Sequence, residues 1–206
     1  MNEKIPDILL TYPSGFPEEH MKYEFSQIHV EGINIKIKQE DPEPYCSFEW
    51  IVPTIFGAYL FKPYFESFLS EAGKDHYQIL KKGIKTIIKK GKVIKSELIA
   101  AETSTEKLSG KYDQSGSVSL IIQTKNNKQL KLLFDESLTL NDWEDAIDQI
   151  LDYSIENYEN FPNDQLTKNI ESLNKEKQPN YIYALINTET KKIEFFDDKK
   201  LANKYK

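Results

Sequence analysis

The sequence predicts an α+β fold: an antiparallel sheet built from several hairpins, with two to four helices packed on one face. Three observations carry this expectation. Apolar residues alternate at period two in separate short stretches, compact polar turns join some of those stretches, and segments of helical period lie between them. All 206 residues are expected to form a single domain, with a β section over 1–45, a helical section over 50–91 and a hairpin and helix section over 116–206.

The β section starts with Asp7 to Pro13, a short apolar run closed by proline. Ile28 and Val30, then Ile33, Ile35 and Ile37, alternate with polar residues, and Glu31-Gly32 suits a turn or bulge. Pro42 and Pro44 cannot donate to a ladder and end the section.

The segment from Glu49 to Gly73 is the most apolar and aromatic in the chain. Pro53 suits a first helical turn, Ile55, Tyr59 and Leu60 recur at helical spacing, and Pro63 divides or kinks the helix. Tyr64, Phe65, Phe68 and Leu69 continue the pattern, and Gly73 is a natural C-terminal stop. Asp75 then caps a second helix with an apolar stripe of Tyr77, Leu80, Ile84, Ile87 and Ile88, which Gly91 is expected to end. Residues 92–102 fit either strand or helix, and the Ser, Gly and Thr-rich stretch after them reads as a loop.

A hairpin follows, with Val118 to Thr124 and Gln129 to Phe134 flanking a Lys-Asn-Asn-Lys turn. Asn141 and Glu144 have capping-box spacing at the start of an amphipathic helix bearing Trp143, Ala146, Ile147, Ile150, Leu151, Ile155 and Tyr158. A shorter helix is expected between Pro162 and Asn174, and Tyr181 to Phe196 form a last hairpin turning at Asn187 to Lys191.

Composition narrows the function. The chain carries a net charge of -6, so overall attraction to nucleic acid is not expected. All 27 basic residues are lysine, which removes the planar, bidentate fork that arginine offers to phosphate and guanine. Sequence-specific nucleic-acid recognition is therefore not expected. A single cysteine, Cys46, permits no intrachain disulfide, and the first residues make a poor signal peptide because Asp7 interrupts a very short apolar run. A cytoplasmic, bacterial protein is the expectation. No run approaches the ~20 apolar residues that a spanning helix requires.

Motifs for chemistry are weak. Gly83, Lys85 and Thr86 lack the glycine pattern of a phosphate loop, and the three histidines, His20, His29 and His76, show no diagnostic ligand spacing. No cofactor or metal is expected, and no nucleophile elbow surrounds Ser115 or Ser117.

Charge is more informative. Residues 81–95 hold seven lysines and no acid, whereas 135–160 hold nine acids and no lysine. The expected function is non-catalytic binding of a protein partner through two surfaces. The first joins Trp50, Tyr59, Tyr64, Phe65 and Phe68 to Lys81, Lys82, Lys85, Lys89 and Lys90. The second is the acidic helix with Asp145, Asp148 and Asp152. An alternative is attachment to an anionic membrane surface, with aromatic residues 50–68 inserted and the lysine run on headgroups. A third class, a small hydrolase or nuclease, requires scattered Asp, Glu and His residues to converge.

Overall fold

The computed structural model describes residues 6–12, 18–26, 29, 31–39, 56–60, 73–101, 114–173 and 181–204. In chain order these residues form β1 (Ile8–Tyr12), α1 (Glu18–Ser26), β2 (Ile35–Gln39), β3 (Phe56–Leu60), α2 (Gly73–Ala101), β4 (Gln114–Gln123) and β5 (Gln129–Asp135). They continue with α3 (Leu140–Asn160), α4 (Gln165–Leu173), β6 (Tyr181–Ile186), β7 (Ile193–Phe196) and α5 (Asp198–Lys204). The strands build one seven-stranded sheet in the order β2-β1-β3-β4-β5-β6-β7.

The α+β class holds, but the sheet is mixed rather than antiparallel. β1/β2, β3/β4 and β5/β6 are parallel pairs, whereas β1/β3, β4/β5 and β6/β7 are antiparallel. The reason lies in the connections: the Lys125 to Lys128 and Asn187 to Lys191 turns make hairpins, while each parallel pair is bridged by a helix-bearing crossover. Asn127 and Lys191 take positive φ of 62° and 57°, the left-handed conformation that reverses the chain in these turns.

Alternation along the strands separates two faces. Ile8 and Leu10, Ala58 and Leu60, Val118, Leu120 and Ile122, Leu130 and Leu132, and Ile182 and Ala184 point to one face. There they meet Leu80, Ile84, Ile87 and Ile88 of α2, Trp143, Ala146, Ile147, Ile150 and Leu151 of α3, and Leu166 and Ile170 of α4. The opposite face carries a smaller cluster of Leu133, Tyr183 and Leu185, which Leu201 of α5 covers. The expectation of helices on one face is therefore corrected for this short terminal helix. Asp197 starts it, accepting from Lys200 N at 2.7 Å through its side chain.

Helices α2 and α3 lie side by side on the first face, although the strand pairs they bridge run in opposite directions. Both crossovers step the same way across the sheet, so, judged by the helices' positions, their hands are opposite. One of them thus departs from the right-handed rule. The consequence is that α2 and α3 become antiparallel neighbours.

Several local expectations are corrected. Phe56–Leu60 is a strand, not a helix, because all five residues pair with β4 on one side and four of them, Gly57 to Leu60, pair with β1 on the other. Gly57 admits this close packing: a Cβ there would lie 3.0 Å from Thr11 Oγ1 and 3.0 Å from Tyr59 Cε2. Residues 18–26, read partly within a β section, form a helix with Glu18 and Glu19 in its first turn, where carboxylates suit the N-terminal dipole. Gly73 opens α2 rather than ending a helix, and Gly83 and Gly91 both lie inside it, buried. Burial of the isoleucine stripe offsets the ~1 kcal/mol that each interior glycine costs.

The α3 capping box sits two residues earlier than the spacing of Asn141 and Glu144 implied. Thr139 Oγ1 accepts from Asp142 N at 3.2 Å, and Asp142 Oδ2 accepts from Thr139 N at 2.9 Å. At the other end, buried Asn157 accepts from Lys125 N at 2.9 Å and donates to Asp164 Oδ1 and Thr167 Oγ1, both at 3.1 Å. It ties the β4–β5 turn to the start of α4. Gln149 does the same for the β6–β7 turn, donating to Lys191 O at 2.9 Å.

Candidate functional site

The seam between α2 and α3 follows directly from this placement. Both helices bury an apolar stripe, so their polar flanks meet at the edge of the core. Tyr77 donates to Asp152 Oδ1 at 2.6 Å, Lys81 Nζ lies 3.0 Å from Asp148 Oδ2, and Lys85 Nζ lies 2.8 Å from Asp148 Oδ1 and 3.9 Å from Glu144 Oε2. Steps of four along α2 thus meet steps of four backwards along α3. One turn per four residues on each antiparallel helix makes the ladder regular.

Burial raises the Tyr77 phenol well above its ordinary value of 10.0, with the bond to Asp152 and the charges of Asp152 and Asp148 adding to it. Further along, Lys92 Nζ sits 4.0 Å from the centre of the Trp143 ring. Trp143 is fully buried, and its Nε1 donates to Asp135 O at 2.8 Å. The α2 lysines therefore close the edge of the core as well as carrying charge.

Two lysines of the run stand apart from the ladder. Lys82 and Lys89 are exposed on the back of α2, and no acid of the described residues pairs with them. At 100° per residue, Gln78, Lys82, Lys85 and Lys89 fall within about 60° of one another, opposite the buried isoleucines. The next rung after Lys85 and Glu144 would set Lys89 against Leu140, where α3 begins, so the acids end before the lysines do. Gln78, Lys81, Lys82, Lys85, Thr86, Lys89 and Glu144 together line an open groove of about 370 Å³. Its lining has four ammonium groups and one carboxylate.

Lys90 is half-buried and engaged, and Asp145 is exposed on the back of α3 near Asp152. Tyr59 is half-buried within β3, on the sheet face opposite the main core, so this part of the aromatic segment belongs to the sheet. Trp50, Tyr64, Phe65 and Phe68, and Cys46 with them, lie outside the described residues. The structure brings together Lys81, Lys85, Asp148 and Asp152, which the sequence alone assigns to two separate docking faces. Glu144, Tyr77 and Gln78 join them and had not been selected. Their spacing of four relative to the lysines and acids was visible, but which flank of each helix faced the other was not.

Among the described residues no group of three or more His, Cys, Asp or Glu is arranged to hold a metal ion. No helix there is long and apolar enough to cross a membrane. Comparison with protein families, curated proteins and solved structures finds no match to this chain.

Proposed function

We propose that the protein works by non-catalytic binding of a protein partner, with the back of α2 as the contact surface. The observation that supports this reading is the pair Lys82 and Lys89, exposed beside an open groove while their neighbours Lys81 and Lys85 are held by α3 acids. Fixed neighbours lower the cost of ordering this surface when a partner arrives. Electrostatics of this kind governs encounter rate and orientation more than net affinity. The acidic back of α3, with Asp145, is a second contact surface beside it.

The test is affinity capture from lysate of the source organism, comparing the wild-type protein with K82E/K89E and with K168E, a reversal at an exposed lysine on α4. Partners identified by mass spectrometry should be lost only with K82E/K89E, and the thermal melt should not move. Equal capture by all three proteins would refute the reading.

A further inference from the structure

We infer that the occupant of the α2 groove is an acidic helix of a protein partner, about three turns long, with carboxylates spaced at four and three residues. This inference rests on the binding role proposed above and adds the partner's chemistry. The protein supplies its own precedent: α3 lays Asp152, Asp148 and Glu144 along one flank of α2 in steps of four, against Tyr77, Lys81 and Lys85. The row beside that flank shares Lys85 with it and adds Gln78, Lys82 and Lys89, which are exposed, at steps of four, three and four along the helix. A row of eleven residues' rise is about 16 Å, which matches three turns of a helix lying alongside. Steps of four and three are the pattern that keeps one helix facing another through successive turns.

Other polyanions fit less well. A phosphate backbone or headgroup layer, charged along its whole length, would also lie over the Glu144 carboxylate inside the groove. The row has no arginine for bidentate phosphate contacts. A membrane contact also needs apolar side chains to insert, and the groove is lined by charged residues and the polar Gln78 and Thr86. A helix can place its carboxylates over Lys82 and Lys89 and its uncharged residues over Glu144.

The experiment uses the full chain and a fluorescent, alanine-based helical peptide carrying glutamates in the four-three pattern, titrated in about 50 mM salt, where the Debye length exceeds ~10 Å. Binding should weaken at least tenfold with K82E/K89E and with K82Q/K89Q, and be unchanged with K168E. A peptide with the same glutamates scrambled in spacing should bind at least fivefold more weakly than the patterned one. Phosphatidylserine vesicles and a DNA duplex are titrated in parallel. If either of these binds more tightly than the patterned peptide and with the same dependence on Lys82 and Lys89, the docking surface stands and the acidic helix is overturned. If no probe shows that dependence, both the inference and the docking surface are refuted. Equal affinity for patterned and scrambled peptides overturns the helical spacing.

Discussion

The ladder between α2 and α3 makes a quantitative prediction about Asp148. Its side chain is 30% exposed and lies between Lys81 and Lys85, whose side chains are 19% and 23% exposed. Exposed ion pairs contribute about 0–1 kcal/mol, whereas breaking a fully buried pair costs about 3–5 kcal/mol. A pair in which both partners are roughly three-quarters covered falls near the lower range, so Lys85 and Asp148 should couple by about 1 kcal/mol. D148A removes contacts to two ammonium groups and should cost about 1.5–2 kcal/mol in all, shifting the melting temperature by about 5 °C for a chain of this size. The assay is urea unfolding of wild type, K85A, D148A and K85A/D148A, with a parallel cycle in which K82A replaces K85A. The second cycle should give a coupling within about 0.3 kcal/mol of zero, because Lys82 makes no ion pair with Asp148. Equal coupling in the two cycles would refute the division of the lysines into held and available sets. A vanishing coupling for Lys85 would refute the ladder itself.

Three other predictions test the surrounding structure. Tyr77 binds its proton more tightly folded than unfolded, so its contribution to stability is complete below pH 10.0 and declines as the pH rises above that value; urea midpoints from pH 9 to 11.5 should therefore fall more steeply for wild type than for Tyr77→Phe, and parallel curves would contradict the assignment. Gly57→Ala places a methyl 3.0 Å from Thr11 Oγ1 and Tyr59 Cε2, which should cost about 1–3 kcal/mol in the same unfolding assay, and an unchanged midpoint would show that β1 and β3 pack less closely than described. Thr139→Ala removes the α3 cap and should cost about 1 kcal/mol. Asp142, held below its ordinary range first by the Thr139 hydroxyl, then by the Thr139 backbone and Lys191, adds stability above that range that is lost as the pH falls through its lowered value; T139A should flatten this acid limb, and an unaltered limb would argue against the capping box.

The helix over Trp143 to Tyr158 and both hairpins could be read from the chain because each rests on local information. An apolar stripe at period 3.6, or two alternating runs around a short polar turn, identifies its element without knowledge of the neighbours. The charge asymmetry between residues 81–95 and 135–160 was equally plain. Phe56–Leu60 was misread because five apolar residues carry no period that distinguishes strand from helix, and pairing on both sides decided the matter. Gly91 was read as a stop because a glycine's local cost is visible in sequence, whereas burial of Ile84, Ile87 and Ile88 against the sheet is not.

One basic helix, one acidic helix and the lack of arginine on either are legible in the chain alone. Tertiary structure alone decided that the two helices lie antiparallel on one face of a mixed sheet, so that Lys81 and Lys85 meet Asp148 while Lys82 and Lys89 are left beside an open groove. The physical reason is that helical period fixes which residues share a face within one helix, but the sheet's strand order and direction fix which faces of two helices are brought together.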